Sequence, residues 1–407
     1  MTSLRIVVTG LIAQHPRLGG VAWDYIQFSA GLARLGHDVY YLEDSGEWPY
    51  TLDGGDTKES WIAHDPTPNV GHLASVMERF GLGDRWLYRF PIKPRWYGLP
   101  HRKRREVLAS ADLLVNVSGT LVRPWEYRHI PTLAYVDTDP GFTQVQLAMP
   151  RGQKSFQARV AAHDVFFSVG ERIPETPLAD GIDWRPTKHP ILLSEWSRDV
   201  ETRDVFTTVM SWTSYKPLRH AGRSFGQKDV EFRRFVDLPQ LVRPARLEVA
   251  LGGTRHVRWE SSAGDEPADD VTPHEILRAA GWRVVDAASV SGDLDSYRRY
   301  VQTSKAEWSV AKNGYVVGET GWFSGRSGCY LAAGRPVVVQ DTGFGDALPV
   351  GKGICAFSTF EEAVEGIRAV EAEYALHKDA AREIASEYFD SDRVLGRLVE
   401  AAMGARV

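Results

Sequence analysis

The chain is 407 residues long, which allows two or three domains that each bury a core of their own. It is 43% hydrophobic and 25% charged, as in ordinary soluble globular proteins, and its net charge of −5 excludes a general attraction for polyanions. The two cysteines exclude a disulfide scaffold and favour a reducing, cytoplasmic environment, and no apolar run reaches the ~18 residues that a membrane span requires.

The first half of the chain alternates predicted strands and helices. Residues 4–9 form an apolar run, which we interpret as a strand and not as a signal peptide because Thr9-Gly10 interrupts it and no small-residue cleavage site follows. An amphipathic helix is expected from Gly19-Gly20 up to Gly36, followed by a strand at residues 38–43. Later strands are predicted at residues 113–117, 133–136 and 165–169. This alternation implies a parallel sheet with right-handed crossovers.

The second half repeats the pattern after a proline-containing stretch, residues 185–196, which we interpret as the domain linker. One of its helices is expected to begin at Pro273 behind the cap Thr272. The sequence therefore predicts an α/β protein with two doubly wound, Rossmann-like domains that face each other across a cleft, where ligands of such sheets bind. The predicted bounds are residues 1–192 and 193–385, and residues 386–407 are expected to form a helix that packs back towards the first domain.

The stretch from Ser309 to Asp341 contains the strongest candidate for a phosphate site. It is expected to form a strand, a glycine-rich loop, a short helix over residues 329–333 and a second strand. Unpaired N–H groups at the start of a helix, together with hydroxyls and a guanidinium, suit a diphosphate. The plain alternative is that the glycines only let the loop turn tightly. The candidate donor-binding residues of this stretch are Ser324, Gly325, Arg326, Ser327, Gly328 and Asp341.

Several segments resemble one family of enzymes. GGVA (19–22) and GLARLGHDV (31–39) look like the first strand–helix–strand unit of the two-domain nucleotide-sugar glycosyltransferases, which have the GT-B fold. YLAAGRPVV (330–338) is similar to the segment with which these enzymes hold the donor diphosphate, and GFG (343–345) with GKGI (351–354) resembles the following donor-side loop. The likeness favours a divergent member of the retaining, family 4-like branch. Many retaining members carry two glutamates eight positions apart, where this chain has Gly321 and Cys329.

The resemblance implies metal-independent transfer of a sugar from a UDP- or dTDP-sugar to a small-molecule acceptor, with no cofactor besides the donor. Lys228 falls where the family often has a basic residue on the phosphates, and Arg326 is the other cation expected to stabilise the leaving diphosphate. As the plain alternative, Lys228 is a solvated surface lysine. Lys312 is a weaker candidate of the same kind. Gly19 and Gly20 are expected to let the first helix approach the donor or the acceptor closely.

A base for the acceptor is expected in the first domain. His15 lies in the loop after the first strand, and the ordinary pKa of histidine suits proton transfer near neutrality. Asp137 ends another strand at the same edge of the sheet and is a second candidate. Asp137-Thr138-Asp139 also matches the Asp-x-Asp metal motif of a different glycosyltransferase fold, although a turn stabilised by Pro140 is the plain alternative.

Other functions remain open at this point. A catalytically silent nucleotide-sugar-binding protein, a nucleotide-sugar epimerase and a phosphorylase would share the fold. The basic run at residues 101–105 is interpreted as a solvated helix face, so that neither a nucleic-acid partner nor a membrane span is expected. The oligomeric state is left open.

Overall fold

The computed structural model describes residues 3–51, 61–93, 95–149, 154–176, 178, 181–253 and 271–404. Two polar stretches of the sequence are expected to be loops, residues 47–65 and residues 261–270; residues 52–60 of the first and all of the second lie outside these ranges. Within them, no helix is both long and apolar enough to cross a membrane.

A mainly parallel sheet forms the first half of the described chain. Its strands lie side by side in the order β4-β3-β2-β1-β5-β6-β7-β8, and only the β3–β4 pair at one edge is antiparallel. Its strands are β1 (Arg5–Thr9), β2 (Asp38–Glu43), β3 (Trp86–Phe90), β4 (Arg95–Gly98), β5 (Leu113–Val117), β6 (Thr132–Asp137), β7 (Val165–Ser168) and β8 (Trp184–Pro186). The α-helices among them are α1 (Gly19–Arg34), α2 (Thr67–Arg79), α3 (His101–Ala109), α4 (Phe142–Ala148) and α5 (Lys154–Ala161).

A second sheet follows, in the order β13-β12-β9-β14-β15-β16, and all its pairs are parallel. A small antiparallel hairpin, β10–β11, stands apart from it. The strands of this half are β9 (Phe206–Ser211), β10 (Leu218–His220), β11 (Arg223–Phe225), β12 (Leu247–Gly252), β13 (Arg283–Asp286), β14 (Ala306–Ser309), β15 (Val337–Gln340) and β16 (Ile354–Phe357). Its α-helices are α6 (Lys228–Phe232), α7 (Leu238–Leu241), α8 (Pro273–Ala279), α9 (Ala287–Ser291), α10 (Leu294–Thr303), α11 (Asn313–Gly318), α12 (Gly325–Ala332), α13 (Phe360–Ala372), α14 (Tyr374–Ile384) and α15 (Ser391–Gly404).

Local sequence signals account for most of these bounds. Thr272 caps α8 as predicted, since its hydroxyl accepts from the Glu275 N–H and the Glu275 carboxylate accepts from the Thr272 N–H. The predicted start of the donor-segment helix is wrong, because α12 begins at Gly325 and not at Cys329. Two of the glycines assigned to a loop are therefore helical.

The two halves touch along α1 and α15. The Trp23 indole N–H donates to the Leu294 carbonyl of α10 at 2.9 Å. At the other end of the chain, α15 packs on α1, where a Cβ on Gly31 would lie 2.5 Å from Leu395 Cδ1. Arg185 of β8 also donates to the Ala401 carbonyl of α15 at 2.9 Å. The C-terminal helix thus rests on the first half of the chain.

Each sheet contains one strand at which the order of the strands reverses: the chain adds the following strands on one side of it and later strands on the other side. In the first sheet this strand is β1, between β2 and β5, and in the second it is β9, between β12 and β14. Ligands of doubly wound sheets bind beyond the carboxyl ends of the strands at such a point. The loops that follow β1, β5, β9 and β14 therefore define where to look for a site.

Candidate functional site

Three cations converge at the carboxyl edge of the second sheet. Lys228 begins α6 after β9, Lys312 follows β14, and Arg326 lies in the first turn of α12. Their charges act on one another, since Arg326 and Lys312 both lower the pKa of Lys228. The topology thus assembles the cations that the sequence placed in separate segments.

Arg326 is largely committed to a partner within the protein, which corrects the expectation of a guanidinium free to hold phosphate. Its Nε donates to Glu307 Oε1 at 2.7 Å, and its Nη1 donates to the Val209 carbonyl at 2.8 Å. The Glu307 side chain is fully buried, and that of Arg326 is 12% exposed. Nη2 has no hydrogen bond among the described residues, so one N–H face remains for a ligand.

Lys312 is also paired, and it joins the two halves of the chain. Its ammonium lies 2.8 Å from Asp139 Oδ1, and Tyr215 donates to Asp139 Oδ2 at 2.6 Å. The Tyr315 hydroxyl donates to the same carboxylate. Burial would raise the pKa of Asp139, but the charge of Lys312 and these hydrogen bonds lower it below its ordinary value. Lys312 therefore forms an ion pair that links the second half of the chain to the first.

Lys228 differs from the other two cations. No hydrogen bond or ion pair reaches its ammonium within the part of the chain that the structure describes. Burial, and then the positive charge of Arg326, lower its pKa well below the ordinary value, and only Glu307 opposes the shift. An ammonium held in this state gains Coulomb energy from any anion that binds beside it. An anionic ligand bound beside Lys228 would supply the partner that its ammonium lacks.

The start of α12 borders a small recess. The recess is lined by Ser309, Ala311, Ser324, Ser327, Gln340 and Phe344, among others. Ser324 is the N-cap, and the first intrahelical bond runs from the Gly328 N–H to its carbonyl at 3.0 Å. The three N–H groups before Gly328 are thus left open, as at any helix start. Gly328 itself cannot donate to a phosphate, contrary to the sequence-based expectation.

The glycines of α12 serve close packing. A Cβ on Gly325 would lie 3.0 Å from His189 Cγ, and one on Gly328 would lie 3.1 Å from Ile191 Cγ1. The His189 ring therefore covers the first residue of the helix. Burial lowers the pKa of His189 to about 4, so that the ring is neutral near pH 7.

Gly19 and Gly20 closely approach the second half of the chain. A Cβ on Gly19 would lie 2.1 Å from the Asp293 carbonyl oxygen, and one on Gly20 would lie 3.2 Å from the Tyr297 ring. Asp341, the remaining donor-side candidate, accepts from the Gly343 N–H at 2.9 Å within its own loop. These contacts give the residues structural roles: the glycines dock α1 on α10, and Asp341 shapes a turn. Their expected roles towards a ligand stay predictions.

Asp137 is buried in the edge of the first sheet. It is 1% exposed and accepts hydrogen bonds from Thr143, Gln144 and Ser168. Burial raises its pKa to about 6, against the lowering effect of the hydrogen bonds from Gln144 and Thr143. A carboxylate so enclosed does not face an acceptor, and with Asp139 held by Lys312 the Asp-x-Asp metal motif is not formed. Among the described residues no three His, Cys, Asp or Glu side chains are grouped to hold a metal ion.

His15 lies at the carboxyl edge of the first sheet, as predicted from its place after β1. Its ring stacks on that of Tyr50, with the centroids 5.0 Å apart. Two backbone N–H groups of the same loop, at Ala13 and Gln14, donate to the buried Glu43 carboxylate, which holds the loop in place. Burial lowers the pKa of His15 to about 4. The imidazole is thus a weak base near neutrality.

Comparison with solved structures identifies the architecture. An avilamycin A biosynthesis glycosyltransferase, AviGT4, is 14% identical with a TM-score of 0.51, and the match covers 98% of this chain and 97% of that one. An α-glucosyltransferase in complex with UDP and a 13-mer DNA is 10% identical with a TM-score of 0.59, covering 99% and 100%. Sucrose-phosphate synthase from Thermosynechococcus elongatus is 13% identical with a TM-score of 0.53, covering 98% and 100%. The chain has the GT-B fold. No protein-family model matches the sequence, and a search of curated proteins finds no match.

Within this GT-B fold, the sequence interpretation missed one carboxylate on the helix that contacts α10. Asp24, in the second turn of α1, is exposed to solvent and has no hydrogen bond or ion pair among the described residues. The positive charge of Arg326 acts on its carboxylate and favours the ionised form. The only local signal was a charge between two aromatic residues, Trp23 and Tyr25, in the first half of the helix.

Proposed function

We propose that the protein is a glycosyltransferase that moves a sugar from a nucleotide-diphosphate sugar, of the UDP or dTDP type, to a small-molecule acceptor. The observation that carries this proposal is the unpaired Lys228 ammonium at the carboxyl edge of the donor-side sheet, next to the start of α12. The GT-B fold supports it, since it is shared with glycosyltransferases whose structures hold UDP. We further propose that the enzyme belongs to a divergent, family 4-like retaining branch.

In this proposal the diphosphate binds between Lys228 and the first turn of α12. The negative charge of the diphosphate favours the protonated form of Lys228, and its ammonium and the open N–H groups at the helix start then donate to phosphate oxygens. Arg326 contributes through Nη2 while Glu307 holds its other edge. Breaking the bond from the sugar carbon to the diphosphate places negative charge on the leaving oxygen, which these fixed groups stabilise.

Replacing Lys228 by alanine is expected to weaken UDP binding about 100-fold and to leave uridine binding unchanged within threefold. The reason is that a charge-assisted contact to phosphate is worth ~1.5–3 kcal/mol, whereas the nucleoside does not reach the ammonium. Isothermal titration of both ligands against the wild type and Lys228→Ala measures the difference.

The matched control is Lys378→Ala. Lys378 belongs to the same half of the chain but lies at the opposite end of α12, where a Cβ on Gly334 would be 3.7 Å from its carbonyl oxygen. It should bind UDP as the wild type does. Equal losses of UDP and uridine in Lys228→Ala would show that Lys228 does not hold phosphate.

Donor hydrolysis is expected to persist in excess EDTA, because we propose that protein cations and helix N–H groups replace a metal ion. A panel of UDP-, dTDP-, GDP- and ADP-sugars, assayed for nucleotide release with and without EDTA, provides the measurement. Loss of activity in EDTA that Mn²⁺ restores would instead support a metal-bridged diphosphate. Nucleotide binding without hydrolysis or transfer for any donor would point to the silent binding protein.

A further inference from the structure

We propose that the transferred sugar places its hydroxyl groups against an opposite-charge pair, Glu171 and Lys188, and that this pair selects an uncharged sugar. The two residues form an ion pair at the wall of a second recess, between the two halves of the chain. The inference rests on the proposed function and deepens it, because it names the class of sugar that the donor carries.

The second recess lies beside the start of α12. Its lining comes from both halves of the chain and includes Glu171, Lys188, His189, Gly321, Phe323 and Phe389. Phe323 also lines the first recess, so that the two recesses share this side chain. The His189 ring lies over the first residue of α12, since a Cβ on Gly325 would be 3.0 Å from its Cγ. A sugar attached to a phosphate at the helix start would therefore lie next to the second recess.

Close contact between the halves fixes the position of Glu171. The N–H of the next residue, Arg172, donates to the Thr320 carbonyl at 3.1 Å. Gly321 follows Thr320, and a Cβ on Gly321 would lie 3.1 Å from both the N and the Cβ of Glu171. The φ of Gly321 is +71°, a conformation that glycine adopts readily. The missing side chain at position 321 thus leaves room for Glu171 at the wall of the recess.

The ion pair keeps polar atoms available for a ligand. The Lys188 ammonium donates to Glu171 Oε1, and each side chain is 16% exposed. Among the described residues, Glu171 Oε2 and the ring nitrogens of His189 have no hydrogen-bond partner. The ammonium has three N–H groups, of which the carboxylate uses one. The wall therefore offers donors and acceptors together, and a sugar hydroxyl can act as both.

The same pair disfavours charged sugars. The charges of Glu171 and Lys188 cancel, so that a ligand meets no net charge from them. A sugar carboxylate beside Lys188 would also lie beside Glu171 and be repelled, and a sugar ammonium would be repelled by Lys188. Placing a charge in a largely buried recess without a partner of its own is unfavourable. The hydroxyls of an uncharged hexose avoid both penalties.

The decisive experiment is isothermal titration of the wild type and Glu171→Gln with three ligands. These are the nucleoside diphosphate that binds best, the same nucleotide carrying a hexose, and the same nucleotide carrying a hexuronic acid. The wild type should bind the hexose donor at least tenfold more tightly than the hexuronic donor. In Glu171→Gln the hexose donor should bind about tenfold more weakly, because a hydrogen bond to a charged group becomes a neutral one. Affinity for the nucleoside diphosphate should stay within threefold.

The hexuronic donor should respond in the opposite direction. Without the Glu171 charge, the Lys188 ammonium is free to pair with the sugar carboxylate, and the affinity should rise about tenfold or more. Lys188→Met should show the converse preference and favour a donor that carries an amino sugar. Glu175→Gln is the matched control, because Glu175 is an exposed carboxylate of the same loop, and all affinities should stay within threefold of the wild type.

If Glu171→Gln does not fold, the double variant Glu171→Gln/Lys188→Met carries the test. It should bind the nucleoside diphosphate as the wild type does and the hexose donor about tenfold more weakly. Equal changes for these two ligands, or changes below threefold for both, would show that the pair only braces the loop after β7. A wild type that prefers the hexuronic donor would also overturn the inference. These outcomes leave the proposed function standing, whereas a wild type that binds no nucleotide overturns both.

Discussion

Arg326→Ala is expected to lower the free energy of unfolding by about 3–5 kcal/mol, as when one partner of a buried ion pair is removed. Glu307 would be left fully buried with its charge uncompensated, because its other oxygen, Oε2, has no partner among the described residues. The variant also loses the hydrogen bond from Nη1 to the Val209 carbonyl, which ties α12 to β9. Urea unfolding followed by tryptophan fluorescence measures the change.

The double variant Arg326→Ala/Glu307→Gln separates folding from binding. Removing both charges should return much of the lost stability, since a neutral buried amide costs far less than an unpaired carboxylate. The double variant can then be titrated with UDP and uridine, which tests whether Nη2 contributes to phosphate binding. A single variant within about 1 kcal/mol of the wild type would contradict the structural role assigned to the pair.

Gly19→Ala is expected to disrupt the contact between the two halves of the chain. The added Cβ would lie 2.1 Å from the Asp293 carbonyl oxygen and 2.5 Å from its carbon, and a backbone group cannot move aside as a flexible side chain can. Either α1 or α10 must shift, which costs at least the ~1–3 kcal/mol of an overpacked core. We expect a larger radius of gyration by small-angle scattering, a lower melting temperature and loss of donor hydrolysis.

Two glycine variants are matched controls for this effect. Gly20→Ala meets the Tyr297 ring at 3.2 Å, a contact that a small ring movement can relieve, and its effect should be smaller. Gly71→Ala adds a Cβ in open space on α2 and should stabilise the protein by up to about 1 kcal/mol, because alanine favours helix over glycine. Wild-type dimensions and activity for Gly19→Ala would show that the two halves do not need this contact.

The donor segment illustrates where local reasoning succeeded and where it failed. The strand after it was predictable, since Gly334 ends the helix with a positive φ of 66° and an apolar run follows. The start of α12 was not, because glycine in a helix lowers local propensity. In the structure His189 packs against Gly325 and Ile191 against Gly328. These contacts come from a segment far away in the sequence, so that the local sequence does not reveal them.

The alternation of apolar strands and amphipathic helices was by itself enough to predict two doubly wound domains. Parallel sheets require this alternation, and each strand or helix can be recognised from a short stretch of the sequence. The sequence also placed cations near the right strand ends. Only the tertiary structure decided which charges neutralise one another: Arg326 with Glu307 and Lys312 with Asp139, leaving Lys228 and Asp24 open. The reason is that each pair forms between residues that are distant in the sequence: 19 residues separate Arg326 from Glu307, and 173 separate Lys312 from Asp139. The periodicity of a short stretch contains no information about the distance between such groups.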